Sequence, residues 1–201
     1  MCIRDRPYFK RMESNPLGPS EYHGDSGPLV VSDVPTPHPL VRTFIEAAKE
    51  LGIPFNPDVN GERQEGAGPH QGTIRFGRRN SSARAFLRPV MDRSNLSVET
   101  EARVDKVLFE EGRACAVVYT RGSAKREARA DGEIILSAGA IASPAILLRS
   151  GIGPAAELSD FGIPVVAASP GVGHNLQEHP VAWVAGYVDI STYNTLSLIH
   201  I

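Results

Sequence analysis

The strongest constraint on the fold lies between residues 95 and 154. Segments 96–99, 102–110, 114–120 and 125–130 are of strand length and rich in Val, Ala and Leu. Glu111-Gly112 supplies a tight turn between two of them, where glycine takes a positive φ without steric cost. This meander runs into Glu133-Ile134-Ile135-Leu136, a short continuous apolar run of the kind found in strands buried on both faces. Ser137-Ala138-Gly139-Ala140 follows at once, and then a helix predicted from Ser143 to about Arg149. The order is antiparallel strands, buried strand, glycine turn, helix.

Upstream, 7–23 is polar and turn-rich, leading to a short strand at Gly27-Pro28-Leu29-Val30-Val31. Leu40, Phe44, Ala47 and Leu51 recur at helical spacing and predict one apolar helix face, opened by Pro39 and ended by Gly52 and Pro54. Residues 53–80 read as a long loop, and loops of that length usually carry function or wrap a partner. A short capped helix is expected over 81–87, stopped by Pro89. Nineteen glycines and sixteen prolines fit many turns and short elements. A net charge of −2 with interspersed signs offers no footprint for nucleic acid, and no apolar run approaches the roughly 20 residues of a membrane span. Cys2 and Cys115 support neither a disulfide framework nor a metal site. Residues 1–6 and 196–201 resemble translated sequencing-adaptor read-through and are set aside from fold reasoning.

Two stretches invite chemistry. Gly24-Asp25-Ser26-Gly27-Pro28, beside His23, looks like the nucleophile loop of a chymotrypsin-type protease. That loop carries two glycines between Ser and Pro, and here there is one, which would misplace the oxyanion donors. A turn before an edge strand is the better reading of Ser26. The second stretch is 137–144 with Ser150-Gly151-Ile152-Gly153-Pro154. A glycine turn opening a helix can bring main-chain N–H groups close to an anionic or electron-rich ligand. It can equally serve only tight strand-to-helix packing, and spacing alone leaves both open.

The run from Gly139 to Gly153 resembles the second signature of the glucose–methanol–choline (GMC) oxidoreductase family. Further segments resemble that family in its own order: Tyr8-Phe9-Lys10-Arg11, Tyr22-His23-Gly24, Asn60-Gly61 through Gln64-Glu65-Gly66, Gly77-Arg78-Arg79-Asn80-Ser81, Leu87-Arg88-Pro89, Arg93-Ser94-Asn95-Leu96, and Gly171 through Pro180. The likeness covers nearly everything between the two set-aside ends and is greatest to the choline-dehydrogenase-like and aliphatic-alcohol-dehydrogenase-like branch.

The resemblance implies an α/β fold: a partial, Rossmann-like FAD-binding domain with a β-meander, interleaved with a partial α+β substrate domain. Residues 7–88 and 181–195 would belong to the substrate side and 89–180 to the FAD side. It implies FAD as cofactor, a small-molecule alcohol as substrate, and oxygen or a quinone as electron acceptor. The parent reaction moves a hydride from the alcohol carbon to the flavin while a His takes the hydroxyl proton. By the same resemblance Val104 offers its main chain to the adenine edge, and Ser137, Ala138 and Gly139 form the turn beside the cofactor. On residue pattern alone, Val104 is an ordinary sheet residue. Glu178 stands where the family usually has Asp, and His179 is read as structural, because the family's catalytic His lies elsewhere. The family's opening Gly-x-Gly-x-x-Gly turn and its C-terminal His have no counterpart in these 201 residues. The chain therefore reads as an internal fragment, inactive by itself, with no assignable catalytic residue and no metal. A non-catalytic nucleotide-binding scaffold of the same fold is the alternative.

Overall fold

The computed structural model describes residues 4–34, 36–178, 180–182 and 186–192. The chain divides into two compact units, Met1–Ser97 with Gly186–Ile201, and Val98–Ala185.

The first unit opens with α1 (Arg6–Met12), absent from the sequence expectation. It buries no residue, so no apolar stripe announced it. β1 (Glu13–Ser14) pairs in parallel with β2 (Leu29–Val30), which lies in the expected short strand. α2 (Pro39–Glu50) has its predicted span: Pro39 occupies the first turn and the His38 ring accepts a hydrogen bond from the Leu40 N–H as N-cap. Its buried face differs from the expected one. Ile45 and Ala48 are inside, whereas Phe44 and Leu51 are 71% and 82% exposed. Val41, Ile45 and Ala48 also repeat at i, i+4, i+7, so the helix carries two apolar stripes and periodicity could not choose between them.

The 53–80 stretch is more ordered than its composition suggests. Asn56 is buried, donates to the carbonyls of Arg63 and Glu65, and accepts from the Asp58 N–H, so the loop folds around one amide. Further on, β3 (Ile74–Arg75) and β4 (Arg78–Arg79) make an antiparallel hairpin. Its two tip residues, Phe76 and Gly77, both have positive φ, as a tight hairpin turn requires. The expected capped helix is a π-helical turn (Ala83–Leu87) with no side-chain cap from Ser82. It continues past Pro89 as a 3-10 turn over Arg88–Val90. Proline at the start of that turn gives up an N–H with no partner to lose.

The second unit is built on the meander β5 (Ala102–Glu110), β6 (Arg113–Arg121) and β7 (Ala124–Arg129), in the order β5-β6-β7. Glu111 and Gly112, φ 50° and 78°, turn β5 into β6 as expected. Two bulges interrupt that pairing. Asp105 is left out between the Val104–Tyr119 and Lys106–Val118 pairs, and Cys115 between the Leu108–Ala116 and Phe109–Ala114 pairs. One extra residue on each strand shifts the register by one and then restores it. The 96–99 segment is not a strand: it has no ladder partner among the described residues, and the left-handed Glu101 (φ 56°) separates it from β5.

The expected buried strand at 133–136 is also absent. Those residues are in no helix or strand and have no ladder partner among the described residues, and Ile135 is 80% exposed. An apolar run becomes a buried strand only where other strands flank it. α3 (Gly139–Arg149) starts four residues before the predicted Ser143. Pro144 lies inside it and costs only the bond to the Ala140 carbonyl, while the Ser143 hydroxyl turns back to accept from the Ala138 N–H at 2.9 Å. Gly151 (φ 84°) then leads into β8 (Ile152–Gly153), α4 (Ala155–Asp160) and β9 (Ala167–Ala168), which pairs in parallel with β8. No helix among the described residues is long and apolar enough to cross a membrane.

Candidate functional site

In the second unit α3 is fixed to β5 through its C-terminal end. Ser150 Oγ accepts from the buried Val107 N–H at 2.8 Å and donates to the Ile146 carbonyl at 2.6 Å. Arg149 reaches the bulge, donating through Nε to the Asp105 carbonyl at 2.7 Å and through a terminal nitrogen to the Val104 carbonyl at 3.4 Å. The bulge exposes two main-chain oxygens in sequence, and one guanidinium satisfies both. Val104 therefore stands at the C-terminal end of α3, half-buried.

Ser137, Ala138 and Gly139 stand at the other end of the same helix, all exposed. Eleven residues at about 1.5 Å rise separate the ends by about 16 Å. The predicted site residues thus do not converge on one point. They bracket α3. At the N-terminal end Gly139 has φ 88°, and nothing lies within 4 Å of where a Cβ would stand. No side chain caps the helix from the Ala138 position, so its first-turn N–H groups retain donor capacity. A groove of about 630 Å³ begins one residue further on, between α3 and the 171–177 segment, with Ala140, Ile141, Val172 and Leu176 among its walls. Glu178 lies just beyond these walls, and His179 falls outside the described residues.

These features fit a nucleotide cofactor at the turn: open space against glycine backbone, N–H donors facing out, and an apolar groove alongside. At Val104 the fit is narrower, because its carbonyl already accepts from Arg149.

The first unit contains a cluster the sequence did not reveal. His23 is 4% exposed and faces a carboxylate from each ring nitrogen: Nδ1 lies 3.0 Å from Glu13 Oε2 and Nε2 lies 2.9 Å from Asp58 Oδ2. Burial is the largest single influence on the ring and would lower its pKa. The hydrogen bonds and charges of Asp58 and Glu13 together outweigh it, and the pKa is raised above the ordinary 6.5. Neither ring nitrogen is left for Ser26, so the hydrolase reading has no general base there. The cluster borders a cavity of about 1000 Å³ within this unit. Glu13 and Asp58 lie 10 and 35 residues from His23 along the chain, and no local spacing rule reaches that far.

The combination of short helices with a bulged antiparallel meander is that of an α/β protein. Residues 4–181 match the model of the GMC oxidoreductase family, and the chain belongs to that family. It is 49% identical over 178 residues to the oxygen-dependent choline dehydrogenase of Chromohalobacter salexigens, an alignment covering 86% of this chain and 31% of that protein. It is 48% identical to human mitochondrial choline dehydrogenase, covering 86% and 29%. Among solved structures, an FAD-dependent oxidoreductase from Chaetomium thermophilum superposes with a TM-score of 0.79 at 30% identity, over 86% of this chain and 32% of the other. Pyridoxine 4-oxidase from Mesorbium loti gives 0.75 at 36% identity, over 82% and 33%. The chain spans about a third of the length of these relatives.

Proposed function

We propose that this chain serves an FAD-dependent oxidoreductase acting on the CH–OH group of an alcohol, choline or an aliphatic alcohol. The observation that carries this reading is the start of α3. There an exposed, left-handed Gly139 and uncapped N–H groups stand in a chain about half identical to choline dehydrogenases. Bound FAD would supply the electron acceptor for converting the alcohol to a carbonyl. The chain's own contribution is positional. Gly139 lets the ligand approach the backbone, Ser137 and Ala138 complete the turn, and Val104 offers main chain at the far end of α3. An extended dinucleotide suits contact points near the two ends of an eleven-residue helix better than a compact ligand does. Residues 89–180 would form the cofactor side and 7–88 with 181–195 the substrate side. Oxygen or a quinone would reoxidise the flavin.

The test is a segment exchange. Residues 4–181 replace their counterpart in the Chromohalobacter choline dehydrogenase, and bound flavin absorbance and alcohol oxidation are measured with choline and a simple aliphatic alcohol. A folded chimera that retains flavin and oxidises either alcohol is expected. Flavin without oxidation would favour the scaffold reading, and a folded chimera without flavin overturns the proposal. Gly139→Val, which fills the open space and strains the turn, should release the flavin.

A further inference from the structure

The carboxylate-clamped histidine of the first unit has no part in the flavin reading, and its geometry carries a separate conclusion. A neutral imidazole has one N–H and one lone pair, so it can donate to only one carboxylate. Both His23 nitrogens lie within 3.0 Å of carboxylate oxygens on different segments, Glu13 on β1 and Asp58 on the 53–68 loop. The other neighbour, Asn15, spends its two amide hydrogens on Glu13 Oε1 and Gln71 Oε1, at 2.9 and 3.0 Å. It has none left for a ring lone pair at Nδ1, although the two nitrogens are 3.2 Å apart. Glu13 also accepts the Gly24 N–H and Asp58 the Asn60 N–H, so both carboxylates are held by donors that suit the ionised form. Arg6, Glu62, Arg63 and Glu65 line the adjoining cavity without bonding the ring. Of these Arg6 is engaged by Glu21 and by the Tyr22 ring.

We infer that His23 is a proton-operated latch: as an imidazolium it ties the 58–65 loop to the β1–β2 segment, and on losing a proton it releases the loop from one wall of the cavity. Asn60 to Glu65 line that cavity, as do Phe9, Tyr22 and Leu29. Asn56 holds the far end of the loop at Arg63 and Glu65, so release frees the 58–61 turn, whose amides bond to Asn56 and Asp58. Because the closed state holds the proton more tightly than a free histidine, the latch is intact below pH 6.5 and weakens as pH rises through the raised value. Across that window the open-to-closed ratio should rise, by no more than about tenfold per pH unit for a single proton.

Hydrogen exchange of the Asp58, Asn60 and Gly61 amides in the full chain, corrected for the intrinsic pH dependence of exchange, reads this ratio. Protection should fall as pH rises above 6.5, by no more than about tenfold per pH unit, and then level off. Asp58→Asn, which can pair with either form of the ring, should abolish the pH step. Ring nitrogen NMR of the unaltered chain gives a second reading that does not depend on the variant folding. The His23 ring should titrate above 6.5, with protons on both nitrogens below that pH. A ring that titrates at or below 6.5, flat protection in the parent chain, or an undiminished step in Asp58→Asn would each overturn the inference.

Discussion

Ser150→Ala isolates the joint that holds α3 against the meander. The hydroxyl makes two buried bonds, one from the Val107 N–H and one to the Ile146 carbonyl, and Val107 is 4% exposed. Alanine removes both. The Ile146 carbonyl keeps its helical partner, the Ser150 N–H at 3.0 Å. The Val107 N–H has no substitute and no access to water, which costs about 1–3 kcal/mol beyond the modest net value of the bond itself. A loss of about 2–3 kcal/mol is therefore expected, a large share of a typical 5–15 kcal/mol total. Ser159→Ala is the control: its hydroxyl donates to the Ala155 carbonyl at 2.8 Å on exposed α4, where water can replace it, so less than about 0.5 kcal/mol should be lost. Urea unfolding followed by circular dichroism gives both values, and exchange of the Val107 amide should accelerate about thirtyfold for a 2 kcal/mol loss. Equal effects from the two serines would refute the claim that burial, not bond count, sets the magnitude.

Gly151→Ala would place a methyl group against the Pro164 carbonyl at φ 84°, and should cost well over 2 kcal/mol in thermal unfolding. Gly122→Ala has similar backbone strain but open space, so about 1 kcal/mol is expected there. Asn56→Ala strips the 53–68 loop of two carbonyl partners and the Asp58 N–H acceptor, and limited proteolysis should then cut within 58–66 several times faster than in the parent chain. Glu13→Gln removes one of the two charges that hold the His23 proton, so the His23 titration followed by NMR should move toward 6.5.

The parts of this fold legible in the sequence are those set by local chemistry. The meander announced itself through its composition and through Glu111-Gly112, and α2 through Pro39 and Gly52. What failed depends on neighbours. Glu133 to Leu136 has the residues of a buried strand, but a strand is a relation between segments, and none flanks it here. The buried side of α2 was undecidable with two apolar stripes on one helix. The β3–β4 hairpin escaped because its tip holds Phe76, 91% exposed at φ 52°, where Asn or Asp would normally signal the turn. At the proposed cofactor turn, Gly139 was visible as a glycine opening a helix, while the part given to Ser137, Ala138 and Gly139 came from the family resemblance. The His23 cluster was not, since its carboxylates come from distant points of the chain.

The paired bulges in the β5–β6 hairpin bear on how such a sequence can drift. Each extra residue is absorbed locally: Val104 and Lys106 face the adjacent Tyr119 and Val118, so deleting Asp105 or Cys115 leaves every other pair and its face unchanged. Deleting Asp105 also removes the carbonyl that anchors Arg149 of α3, whereas deleting Cys115 removes an acceptor for the Ala130 N–H at the end of β7. Among distant descendants of this gene, single-codon deletions should be tolerated more readily at Cys115 than at Asp105.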